Sequence, residues 1–202
     1  SIRTMPLHLT PGVLVYSGNI RADFPNTDPD NLEGELLVTQ SALSTKDQRY
    51  SFDTISLISG KTDTGKFLRL RSDVLSAALT GNYLLTQLGA VFRQSINPYY
   101  SLGPATAAKD TLQDYDFRFN AYVVNGPLLK MLVPSLDRIE PVKMDGHFTS
   151  EKGWQTSLDA PLIVMGTNQI RKLKMQAGTT GNEIKFRTDV ERFSTGPATN
   201  IY

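Results

Sequence analysis

The feature that most constrains the fold is a strand pattern that occurs twice, about 115 residues apart. Leu68-Arg69-Leu70-Arg71-Ser72-Asp73-Val74 is echoed by Ile184-Lys185-Phe186-Arg187-Thr188-Asp189-Val190. Both copies read apolar, basic, apolar, basic, hydroxyl, acid, valine. Each follows another alternating run with a glycine turn, Ile55 to Gly60 in the first case and Leu173 to Gly178 in the second. Each is followed by Thr-Gly, at Thr80-Gly81 and Thr195-Gly196. Side chains alternate across a strand with period two, so each copy predicts a long hairpin with one apolar and one polar face. An extended sheet of such hairpins has an apolar face that something must cover.

Strand signals dominate the rest of the chain. Ile20-x-Ala22-x-Phe24, Leu32 to Val38, Tyr50-x-Phe52, Ala78 to Leu84, Tyr115 to Val123 and Val142 to Phe148 all alternate. Two segments change period. Leu88, Val91, Phe92 and Ile96 form one helical stripe, which predicts a short helix near 86–96 with Thr86 as N-cap and Asn97-Pro98 as stop. A second helix is predicted near 127–133, opened by Pro127 and closed by Pro134. This gives a first β repeat over 1–100, a connecting loop over 101–114 and a second β repeat over 115–202.

Composition excludes several classes. The 21 Lys and Arg against 20 Asp and Glu leave a net charge of +1, which provides no field for nucleic acid or a polybasic membrane patch. With no cysteine there is no disulfide, thiolate metal site or cysteine nucleophile. No run approaches the roughly 18 apolar residues of a spanning helix. The start at Ser1 without a signal reads as an internal piece of a longer protein.

Motifs for catalysis or metals dissolve on inspection. Gly60 to Lys66 spells G-x-x-x-x-G-K, but Phe67 stands where a phosphate loop needs Ser or Thr, and a strand follows instead of a helix. It is read as a hairpin turn. Asp28, Asp30 and Asn31 lack the glycine and closing glutamate of a calcium loop. His8 and His147 are isolated, apart from Asp145 on the same strand face as His147. Ser72-Asp73 and Thr188-Asp189 recur as strand ends, and repetition favours architecture over a unique catalytic site. The chain is therefore read as a non-enzyme without cofactor or metal.

What remains is the apolar stripe. Leu36, Val38, Ile55, Leu57, Leu68 and Leu70 fall on one face in the first half, with Glu35, Thr39, Arg69 and Arg71 opposite. Phe117, Phe119, Leu173, Met175, Ile184 and Phe186 continue it in the second. An antiparallel sheet with one wet face buries the other. One solution is a dry sandwich core; the other is an incompletely closed, curved sheet that holds an apolar ligand.

The order Leu32-Glu33-Gly34-Glu35-Leu36, Tyr50-Ser51-Phe52-Asp53-Thr54-Ile55-Ser56-Leu57, then Leu68 through Ser72-Asp73 to Thr80-Gly81 resembles the repeats of TamB and its AsmA-like relatives. The stretch from Asn82-Tyr83 to Asn97-Pro98-Tyr99-Tyr100 is similar to the Bacteroidetes form of that family. The resemblance implies an all-β, mainly antiparallel, elongated β-taco: a curved, barrel-like but open sheet with an apolar groove and two short helices. It implies a periplasmic location in a Gram-negative cell, with inner-membrane attachment through other parts of the protein. Phospholipid acyl chains would then travel along the groove toward the outer membrane, supporting its integrity. The twelve apolar residues named above would contact them. A second reading implied by the resemblance is assembly or secretion of an outer-membrane β-barrel partner by strand pairing. A third, from the strand pattern alone, is a surface β-sandwich adhesin repeat.

Overall fold

The computed structural model describes residues 15–44, 49–96, 112–180, 183–196 and 199–201. Leu14, His8, the run from Asn97 to Tyr100 and most of the 101–114 loop lie outside the described residues.

Alternating apolar and polar residues with short turns produce an antiparallel meander. Its strands are β1 (Val15–Asp23), β2 (Gly34–Ser44), β3 (Arg49–Thr62), β4 (Gly65–Arg71), β5 (Leu75–Asn82) and β6 (Asp116–Val123). They continue as β7 (Arg138–Ile139), β8 (Val142–Thr149), β9 (Gly153–Met165), β10 (Asn168–Thr180), β11 (Glu183–Asp189), β12 (Arg192–Thr195) and β13 (Thr199–Ile201). All 13 strands belong to one sheet, and every pairing is antiparallel between neighbours in the meander. β1 has no partner on its outer side among the described residues, so the sheet is open and does not close into a barrel. The two halves are joined into this one sheet by the pairing of β5 with β6.

Two of the strands are interrupted, not separate. β7 and β8 hold a single register on β9: Ile139 faces Ile163 and Lys143 faces Asp159. The gap between them contains Pro141, which has no N–H to give the ladder. β11 and β12 likewise share one register on β10, with Asp189 opposite Lys174 and Arg192 opposite Arg171.

These interruptions lie on one line across the sheet. At its start, β1 and β2 shift register around Gly18, where Gln40 takes φ 49°. The line passes Asp53, whose N–H donates to the Asp73 carboxylate at the β4–β5 turn. It continues through Val124, whose N–H donates to Val74, and then between Pro141 and Pro161. It ends where Lys172, at φ 48°, pairs its ammonium with Glu191. Bulges and prolines each bend or loosen a ladder locally. Aligned strand after strand, they form a transverse crease. Asp73-Val74 and Asp189-Val190, the ends of the duplicated pattern, both reach it. Beyond this point the copies diverge. After Val74 the chain turns back as β5, whereas after Val190 it continues along β10 as β12.

The helices fall where the periodicity placed them: a 3₁₀ turn at Leu85–Gln87 running into α1 (Leu88–Ile96), and α2 (Pro127–Leu132). Thr86, however, is not the N-cap. It sits inside the 3₁₀ turn, and its N–H and hydroxyl both donate to the Asp30 carboxylate, at 3.0 and 2.6 Å. A carboxylate 56 residues away takes over the local cap, an arrangement created by the tertiary fold. α1 packs onto the apolar face, with Val91 in a core formed with Tyr83, Phe117 and Phe148. Phe117 and Phe148 stack at 5.4 Å, and Phe92 meets Phe148 edge-on at 4.9 Å. The Trp154 indole N–H donates to Ser95 at the end of α1. Such ring pairs contribute about 0.5–1.5 kcal/mol each beyond their burial. They pin α1 over one margin of the sheet.

Candidate functional site

Residues directly opposite in an antiparallel pair share a face, so the registers alone show where each apolar side chain belongs. Ala22, Leu36, Leu57, Leu70, Ala77, Ala121, Met144, Leu158 and Met175 are opposite one another in succession. They form an uninterrupted apolar row perpendicular to the strands, from β1 to β10. At about 4.8 Å per strand this row is roughly 38 Å long.

A second row lies beside it through Leu68, Leu79, Phe119, Gly146, Thr156, Ala177 and Phe186. Gly146 is needed there because a Cβ would sit 2.0 Å from the Phe119 ring, which fills the space above it. Val38 and Ile55 pair at one end of the same face, Leu173 pairs with Ala160 in β9, and Ile184 with Thr179 in β10. All twelve residues singled out from the sequence therefore share one face.

Their surroundings differ. Phe117 is only 1% exposed, enclosed by the aromatic core under α1, and Val38 is also buried. Phe186 is 62% exposed and Met144 36%, so parts of the apolar face meet solvent uncovered. The others among the twelve are half-buried. Sequence reasoning missed Met144, Leu158, Leu79 and the alanines of the row. Their signal was the same alternation, and Val142-x-Met144 carries it, but alanine is too small to register as part of an apolar stripe.

The opposite face is polar. Across it run Arg71, Ser76, Tyr122, Lys143, Asp159, Lys174 and Asp189. On this side β5, β6 and β8–β11 outline a hollow of about 710 Å³, and most of its lining side chains are polar. His147 shares this face with Asp145, as the alternation indicates, but its ring bonds Asp116 at 2.7 Å.

The motifs set aside in the sequence take ordinary structural forms. The G-x-x-x-x-G-K segment is the β3–β4 hairpin, turning at Asp63-Thr64. Asp28 caps a 3₁₀ turn at Pro29–Asn31, accepting from the Asp30 N–H and the Asn31 amide. Those two bonds, the Asn31 amide first, hold its carboxyl below the usual range. Among the described residues no three His, Asp or Glu side chains converge on a point, and no helix is long and apolar enough to cross a membrane. No protein family, curated protein or solved structure matches this chain.

Proposed function

We propose that this sheet carries phospholipid acyl chains on its apolar face, as a segment of a TamB-like, periplasmic protein that supplies lipid to the outer membrane. The observation that carries this reading is the direction of the apolar row. In a dry sandwich core, apolar residues only need to face each other. A row that stays apolar from Ala22 to Met175, perpendicular to the strands and still partly uncovered, provides a path along the sheet. Each acyl methylene brought against it gains about 0.8 kcal/mol, without a specific contact. A lipid could therefore shift along the row with little change in energy, and no catalytic residue is needed.

The test is lipid retention. Protein purified gently from cells and analysed by native mass spectrometry should carry phospholipid. Protein that is lipid-free, and fails to take up a fluorescent fatty acid, overturns the reading.

One observation favours a second reading, strand-pairing assembly of an outer-membrane β-barrel protein. The outer side of β11 is unpaired among the described residues, which leaves a seven-residue edge open for augmentation. Photocrosslinks from this edge to a β-barrel client, with none from Met144 to lipid, would favour it.

A further inference from the structure

The hollow on the polar face is a binding site in its own right, separate from the apolar track. Its floor follows from the registers. One transverse row holds Arg118, His147, Gln155, Gly178 and Lys185. The row beside it holds Asn120, Asp145, Ser157, Gln176 and Arg187. All ten residues line the hollow. Gly178 leaves a gap between Gln155 and Lys185, and a Cβ there would lie 2.8 Å from the Trp154 carbonyl oxygen.

Two properties of this lining select the ligand. Arg118, Lys185 and Arg187 against Asp145 leave a formal excess of two positive charges, three minus one with His147 neutral. The neighbouring carboxylates do not cancel it. Asp116 is held by His147, and Asp189 forks onto Arg187 from outside the hollow. Between the cations lie amides and hydroxyls, groups that bond to both donors and acceptors. The lining aromatics, Phe119 and Phe186, belong to the apolar face by register, so there is no ring platform for stacking a neutral sugar. A volume of about 710 Å³ is that of a small-molecule site, too large for a bare inorganic anion.

We infer that this hollow binds a hydroxyl-rich phosphoester, its phosphate on the Arg118 or the Lys185–Arg187 end and its hydroxyls on Gln155, Asn120 and Gln176. The phosphoester comes either from a soluble sugar phosphate or from a lipid headgroup at a membrane surface.

Isothermal titration of the full chain with glucose 6-phosphate, glucose and inorganic phosphate, together with co-sedimentation on phosphatidylglycerol vesicles, tests this. Glucose 6-phosphate should bind at least tenfold more tightly than either of its parts. Arg118→Gln and Lys185→Gln should each weaken it about tenfold, the loss of one charge-assisted contact. Arg21→Gln, a cation on the same face outside the hollow, should leave it unchanged. If only the vesicles bind, with the same response to the three variants, the headgroup is the source and the site stands. The inference is overturned if neither probe binds, or if Arg21→Gln weakens binding as much as the hollow variants do. Fatty-acid uptake by the apolar face should be unaffected by Arg118→Gln, so this inference and the lipid reading fail separately.

Discussion

Met144→Glu tests the apolar track where it is least entangled with folding. Met144 lies in the middle of the row, between Ala121 and Leu158, and is 36% exposed. In the free protein a carboxylate there remains hydrated, so the fold should survive. A bound acyl chain faces two options. It can cover the charge, at an effective penalty of several kcal/mol. Alternatively it can detour and lose contact over about three methylenes, roughly 2.4 kcal/mol. The smaller penalty sets the outcome, and 2.4 kcal/mol corresponds to about a 50-fold weaker affinity. Displacement of a fluorescent fatty acid measures it directly. Tyr122→Glu places the same charge one position away on the polar face and should change affinity less than threefold. If Met144→Glu binds within threefold of the unmodified protein, or Tyr122→Glu weakens binding equally, the row is not the binding surface and the argument from direction fails.

Three further outcomes follow from the packing. Phe117→Ala removes the most buried ring of the core under α1 and should cost about 3–5 kcal/mol, seen as a lower midpoint in urea. Asp30→Ala removes both bonds to Thr86 and should loosen the start of α1 by roughly 1 kcal/mol, with about fivefold faster amide exchange there and little change in global stability. Burial pushes the Tyr83 hydroxyl up to about 12 from its ordinary 10. The folded state therefore holds that proton more tightly, and the stability this confers is full below about pH 10 and declines as pH rises toward 12. Urea midpoints at pH 9 and 11 should converge in Tyr83→Phe relative to the unmodified protein.

The apolar face was legible in the sequence because period two is a local property. Leu68 and Leu70 must share a face whatever they pair with, and the same holds for Ile184 and Phe186. Hairpin turns then align those faces from strand to strand, so all twelve residues fall on one side. The crease was not legible. Gly18, Gln40, Pro141, Pro161 and Lys172 are unremarkable one at a time, and only their registers bring them onto a line. The Thr86 cap failed for a similar reason. Local spacing offered a hydroxyl at a helix start, but Asp30, brought close by the fold, binds the same N–H with a carboxylate. The polar hollow was equally hidden, since Arg118 and Lys185 become neighbours along one row only through four successive strand pairings.

The crease also bears on what the apolar face can do. A sheet whose strands are all bent or interrupted at one level is divided lengthwise, and the continuous row from Leu36 to Met175 stays wholly on one side of that line. α1 covers the far margin of the same side through Phe117, Phe148 and Trp154. The track is thus bounded along its length by the crease and by the helix, and it is not interrupted along its own direction. A core built only for stability has no need of this geometry, because dispersion and burial do not depend on the direction in which apolar residues succeed one another. A path for a sliding chain does need it, and a single charge anywhere in the row would break it. The row from Ala22 to Met175 contains none.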